Sequence, residues 1–265
     1  MSESRRIALL LEYDGTAYGG SQRQQNVPSV QATLEEAIER LAGCPVRTAF
    51  AGRTDSGVHA LGQVAAFDTK ARHSVEVWCR GLNALLPEDI AVRVAVVVPA
   101  GFDPRRQARS RTYRYRIWNA AVRSPLLRRQ VWHVREPLDV PHMTRAAAML
   151  IGEHDFAAFG GSPGPGRSTR RRMNRSCIRA DGSLLAFEIE GTAFLPHQVR
   201  RTAGALVEVG RGKLAPERFQ HWLETPEPNG AGPAAPPQGL CLIAVTYDGL
   251  DFGPSETTRE MYEDL

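Results

Sequence analysis

Asp55 stands in the run Ala51-Gly52-Arg53-Thr54-Asp55-Ser56-Gly57-Val58-His59-Ala60, where two glycines bracket an arginine, a threonine, an aspartate and a serine. Glycine lets a chain turn with positive φ, or approach another backbone closely, at no steric cost. A tight loop of this composition presents Asp55 and Arg53 together, and a guanidinium beside a carboxylate favours its ionised form. An ionised, oriented aspartate in a cleft serves as a nucleophile or a base. The same residue types also build an ordinary capped turn carrying a surface ion pair. Residue type alone leaves both readings open.

The loop lies between two strand-like runs, 46–51 and 63–68. Before it come a short apolar strand at 6–13, stopped by Asp14-Gly15, and a helix over 29–41 with Ser29 as N-cap and Gly43 as its stop. After it come a helix at 75–86, ending before Pro87, and a strand at 90–98. Strand-helix-strand-strand-helix-strand is the order of a ferredoxin-like unit. Residues 111–118 open a second half by alternating Tyr113 and Tyr115 with Arg114 and Arg116, which places tyrosines and arginines on opposite faces of a strand. A helix at 143–150, a hairpin of 173–180 with 184–190, helices at 196–209 and 216–223, and a strand at 240–247 follow. The chain therefore divides into an N-terminal α+β half, 1–104, a C-terminal α+β half, 105–253, and an acidic tail, 254–265.

Apolar residues make up 42% and charged residues 23% of the 265, as in globular domains. No run of eighteen apolar residues is present, so no membrane partner is expected. The N-terminus carries charges without a long apolar stretch behind them, which argues against secretion and for a cytoplasmic location. Cys44, Cys79, Cys177 and Cys241 are far apart, and neither they nor the seven histidines show ligand spacing, so no metal or other cofactor is implied. Net charge is only +4, but its distribution is uneven. Ten arginines and no acid lie between Arg105 and Arg135, and Arg167, Arg170, Arg171, Arg172, Arg175 and Arg179 follow one another before the next acid, Asp181. Arginine forks suit phosphate oxygens, so these clusters point to a nucleic-acid face. A genome-wide preference for arginine accounts for the scarcity of lysine but not for the missing acids.

The segment Gly52 to Ala60 resembles the catalytic loop of the tRNA pseudouridine synthase A family. Further pieces resemble the same family in the same order: Glu12-Tyr13-Asp14-Gly15, Gln22-Arg23-Gln24, Phe102 to Arg105 with Arg111-Thr112-Tyr113-Arg114-Tyr115, Ala193 to Arg200, and Ala235 to Leu240. This chain departs from the usual pattern at Ser21, where the family has Trp, and at Asp103, Pro104, Pro196 and Gln198. The resemblance implies two ferredoxin-like halves with sheets joined across a central cleft, and a homodimer that binds tRNA. It implies isomerisation of uridine to pseudouridine in the anticodon stem-loop (positions 38–40), without a cofactor. Asp55 would be the catalytic residue, with Arg53 and Arg200 holding its carboxylate or a flanking phosphate. Tyr113 would be the platform for a uridine drawn out of its stack, its hydroxyl placed to take the proton released from C5. Arg23, Gln24, His59, Arg105, Arg109, Arg111, Arg170 and Arg171 are the candidates for RNA contact.

Two other readings share part of these observations. A noncatalytic RNA-binding protein with two halves of this kind explains the arginines but gives no reason for Asp55 among glycines. A hydrolase using Asp55 with Asp14 or Asp68 needs that second acid in the same pocket, and leaves the arginine clusters unexplained.

Overall fold

The computed structural model describes residues 4–250 and 252, apart from 163, 165 and 226. The tail at 254–265 lies outside the described residues. The first half runs β1 (Arg5–Tyr13), α1 (Val30–Ala42), β2 (Ala49–Phe50), β3 (His59–Thr69), α2 (Val75–Leu85) and β4 (Ile90–Val98). The second runs β5 (Ala108–Asn119), β6 (Trp132–Val134), α3 (Val140–Ala148), β7 (Gly152–Asp155), β8 (Arg170–Asp181), β9 (Leu184–Gly191), α4 (Gln198–Gly210), α5 (Pro216–Glu224) and β10 (Leu240–Tyr247).

All ten strands belong to one sheet, ordered β4-β1-β3-β10-β5-β9-β8-β7, with β2 beside β3 and β6 beside β5. Each half keeps the ferredoxin-like order, β4-β1-β3-β2 in the first and β10-β5-β9-β8 in the second. The junction is β10, the last strand: Cys241 and Leu242 pair in parallel with His59 and Ala60, while its other edge runs antiparallel to β5. The two sheets therefore fuse where β3 emerges from the Asp55 loop. That connection places the loop at the centre of the molecule.

The period-two pattern of the strands decides the layers. Ile7, Leu9 and Leu11 of β1 and Ala65 and Phe67 of β3 face the helices with Leu34, Ile38, Trp78 and Leu82. Ala8, Val64, Ala66 and Val98 face the other way, under Phe102 and Phe252. Phe67 meets Trp78 edge-on at 5.2 Å between ring centres, an aromatic pair favoured beyond its area of burial. Helix ends are set locally: Ser29 accepts from the Ala32 N–H, and Gly43 stops α1 at φ +74°.

Several boundaries differ from the sequence expectation. β2 spans only Ala49–Phe50, β6 and β7 were not foreseen, and α4 starts at Gln198 rather than 196. Such short strands exist because long neighbours pair with them, and pairing leaves no local signal in a three- or four-residue run.

Candidate active site

The connection 51–58 between β2 and β3 is held from below by a buried polar cluster. Thr54 N–H donates to Ser21 Oγ at 2.8 Å, Ser21 N–H to the Thr54 carbonyl at 3.1 Å, and the Thr54 and Tyr13 hydroxyls meet at 2.9 Å. Gln63 accepts from the Gly52 N–H at 3.3 Å and donates to its carbonyl at 2.9 Å. The serine that replaces the usual tryptophan thus pins the loop backbone. Gly57 adopts φ +77°, where a side chain is strained. A Cβ on Gly15 would lie 2.0 Å from the Val58 carbonyl oxygen, so only glycine lets that turn approach the loop.

Above this base Asp55 opens into a cleft of about 540 Å³. The lining comes from the loop, from Arg105, Arg106, Arg111 and Tyr113, from Arg167 and Arg171, and from residues 192–200. Seven arginines (53, 105, 106, 111, 167, 171 and 200) surround it, and Asp55 is the only acid among the described lining residues. Asp55 Oδ2 receives Arg200 Nη1 at 2.8 Å and His197 Nδ1 at 2.8 Å. Oδ1 takes no hydrogen bond from a described residue, and the side chain is 28% exposed. Arg200 is fixed in turn, because its Nε donates to the Ala235 carbonyl at 2.8 Å. Charge-assisted bonds of this kind are short and strong and hold a carboxylate in one orientation.

Tyr113 lies in the cleft wall, only 8% exposed, with Phe194 edge-on to its ring at 5.0 Å. Burial pushes its phenol up to about 12, Arg111 opposing and Asp55 reinforcing the shift. The hydroxyl is therefore protonated at neutral pH, and taking a proton from C5 requires first losing its own. Tyr115, on the same face, is tied by its hydroxyl to the Pro236 carbonyl at 2.8 Å.

The other candidates divide. Arg53 is exposed and lines the cleft, but the guanidinium that binds Asp55 comes 145 residues later, from α4. A neighbour in sequence can point elsewhere when the loop turns beneath it. Arg105 and Arg171 line the cleft. Arg111 also reaches it, yet its guanidinium is buried and donates to the carbonyls of Thr192, Ala51 and Arg105 at 2.8, 2.9 and 2.6 Å. Its role is to tie three segments of the cleft together, and burial lowers its pKa.

Arg109, Arg170, Arg23, Gln24 and His59 do not line the cleft. Arg109 pairs with Asp248 and Arg170 with Glu153. Arg23 pairs with Glu35 at 2.8 Å, and Gln24 donates back to the Gly19 carbonyl at 2.9 Å. His59 accepts from the Gly15 N–H at Nδ1 and donates from Nε2 to the Arg129 carbonyl at 2.7 Å, bridging two loops. Sequence reading did not single out His197 or Arg106, and it named Arg167 only as part of a basic stretch, yet all three line the cleft. Arg106 and Arg167 fell inside the arginine clusters, whereas His197 carried no signal of its own.

Asp68 pairs with Arg6 at 2.6 Å, and Asp14 caps the turn at 15–17. Neither lines the cleft, so a hydrolase relying on either as a second acid finds no support.

The family model described as tRNA pseudouridine synthase matches residues 10–105 and 146–248. This chain belongs to that family. It is 49% identical over 243 residues to the tRNA pseudouridine synthase A of Geobacter sulfurreducens, covering 92% of this chain and 100% of the relative. It is 48% identical over 261 residues to that of Myxococcus xanthus, covering 98% of each. The corresponding protein of Geotalea uraniireducens is 46% identical over 243 residues, with 92% and 100% covered. Both stretches of the family match reach the cleft: the first contains the Asp55 loop, the second His197 and Arg200. No helix among the described residues is long and apolar enough to cross a membrane.

Proposed function

We propose that Asp55 is the catalytic residue of a tRNA pseudouridine synthase acting in the anticodon stem-loop, at positions 38–40. The reaction isomerises uridine to pseudouridine: the bond from N1 to C1′ breaks, a bond from C5 to C1′ forms, the C5 proton leaves, and N1 gains a proton. Nothing is oxidised or reduced.

The observation that carries this reading is Asp55 in an arginine-lined cleft, the one acid among the described lining residues, with Arg200 on Oδ2 and no described residue on Oδ1. The free Oδ1 can meet the sugar or the base of a nucleotide lifted from its helix. Tyr113 and Phe194 form an aromatic wall against which such a base stacks. The exposed cleft arginines, Arg53, Arg105, Arg106 and Arg167, then serve the phosphates flanking it, so binding falls as salt rises. Charge and aromatic lining alone would equally suit a passive RNA binder, but a passive binder has no use for an oriented acid amid seven cations. The same reading carries a homodimer binding tRNA across subunits, and work in the cytoplasm.

Incubation with unmodified tRNA, followed by carbodiimide treatment and alkaline reversal, detects pseudouridine as the base that resists reversal. The parent protein yields such bases in the anticodon stem-loop, and Asp55→Asn yields none while binding the tRNA within several-fold. Turnover by Asp55→Asn near the parental rate overturns the assignment.

A further inference from the structure

His197 breaks two local rules at once. It stands at the N-cap of α4 with φ +59° and ψ +4°, left-handed space that a residue with a Cβ rarely occupies. At an N-cap a short polar side chain normally accepts from the first turn, but the His197 ring makes no capping bond. The neighbouring polar group does not cap either, since Gln198 turns its Oε1 back to the Leu195 N–H at 2.8 Å. A strained, uncapped helix start persists only where surrounding structure imposes it, and such positions gather at functional sites. Here the imposed backbone aims the imidazole away from its own helix, onto Asp55, where Nδ1 lies 2.8 Å from Oδ2.

The two donors converge on one oxygen. Arg200 and His197 both bind Oδ2, and no described residue binds Oδ1. With a carboxylate oxygen as the acceptor, Nδ1 is the donor in this contact. Nε2 is left for solvent or substrate, the ring being 46% exposed. A single guanidinium contact leaves a carboxylate free to rotate about its last torsion, which is broad. A second donor from another direction removes that freedom and fixes which oxygen faces the cleft.

We propose that His197 is a positioning residue for Asp55: with Arg200 it ties Oδ2, and so presents Oδ1 as the reacting oxygen. This rests on the reading of Asp55 as the catalytic group. The ring's contact is to the acid, so its loss acts on the chemical step rather than on tRNA binding.

The test uses three variants of the full-length protein with unmodified tRNA. Glycine is at ease with positive φ, so His197→Gly removes the ring and the strain together. It is expected to melt no lower than the parent, to bind tRNA with Kd within about threefold, and to lose roughly 10- to 100-fold in kcat, the worth of one hydrogen bond to a charged group. His197→Asn places an N–H donor where Nδ1 stood and tolerates left-handed backbone, so it recovers most of that loss. His197→Gln puts its donor at the other ring position and does not recover it. A merely structural histidine would show a changed Tm and no distinction between Asn and Gln.

A Gly variant with kcat within twofold of the parent overturns the proposal, as does a loss confined to KM, or equal recovery by Asn and Gln. Should Gly fail to fold, the Asn and Gln comparison alone decides. If Asp55→Asn is itself active, the functional reading fails, and that outcome is distinct from an inactive Asp55→Asn beside a fully active His197→Gly.

Discussion

Asp55 in the first half and Glu188 in the second both face arginine, yet their surroundings differ. Glu188 lies mid-strand in β9, 4% exposed, with Arg114 at 2.8 Å on one oxygen and Arg175 at 2.7 Å and Arg179 at 3.7 Å on the other. Asp55 lies in a loop that lines a cleft, with both donors on one oxygen and no described residue bonded to the other. The topology explains the contrast. In the second half the turn between the two equivalent strands is only Gly182 and Ser183, with β8 and β9 paired nearly end to end. In the first half β2 is cut to Ala49–Phe50, and the freed chain at 51–58 becomes the loop that carries Asp55. A carboxylate saturated by arginines holds a sheet together; one left half-saturated is available for chemistry.

The sharpest way to break this contrast is to neutralise each acid in turn. Asp55→Asn is expected to cost at least ~10³-fold in product formation with Tm nearly unchanged. Glu188→Gln removes the charge that the β5 and β8 arginines face, and is expected to destabilise by about 2–4 kcal/mol, lowering Tm by several degrees. Equal effects of the two changes on both turnover and Tm would erase the distinction.

Next in size is Arg200→Lys. A guanidinium reaches the Ala235 carbonyl through Nε and Asp55 through Nη1 from one rigid planar fork, a geometry that a compact ammonium on a flexible stem does not reproduce. Turnover should fall roughly 10- to 100-fold, measured as kcat, with tRNA affinity changed far less.

Tyr113→Phe keeps the ring against Phe194 and removes the hydroxyl, so tRNA binding is retained while single-turnover rates fall. The variant also separates stability from pH. An unfolded tyrosine loses its proton near 10, whereas burial keeps Tyr113 protonated to about 12. Between those values the unfolded chain binds fewer protons, so stability falls as pH rises, by on the order of 2 kcal/mol from this residue alone. Alkaline unfolding curves of Tyr113→Phe should therefore fall less steeply than the parent's between those pH values. Parallel curves would show that the phenol does not titrate as described.

The smallest effect is expected at Ser21→Ala, which leaves the buried Thr54 N–H without its acceptor. A loss of about 1–2 kcal/mol in stability, read from denaturant midpoints, accompanies a modest fall in turnover as the loop loosens. An unchanged midpoint would mean that the loop needs only Tyr13 and Gln63 to hold it.

Much of the fold was legible along the chain. β4 and β10 have the expected ends, and Ser29 and Gly43 bound α1 as their capping chemistry requires. The alternation of Tyr113 and Tyr115 with Arg114 and Arg116 gave their opposite faces. Gly52 to Ala60 marked the loop that reaches the cleft. The partners of Asp55 were legible only in part. Of the two arginines expected at its carboxylate, Arg200 binds it and Arg53, two residues away, does not, while His197 was not foreseen. Arg109 and Arg170 belonged to basic clusters but are occupied by Asp248 and Glu153.

Hydrophobic period, caps and turn residues act over a few positions, so the sequence by itself determined which segments are strands and helices and which loop carries the acid. Only the tertiary structure decided which cations face that acid and which of its oxygens stays open. Those depend on β10 joining the two sheets and on α4 beginning above the loop, contacts between residues more than a hundred positions apart that no local pattern encodes.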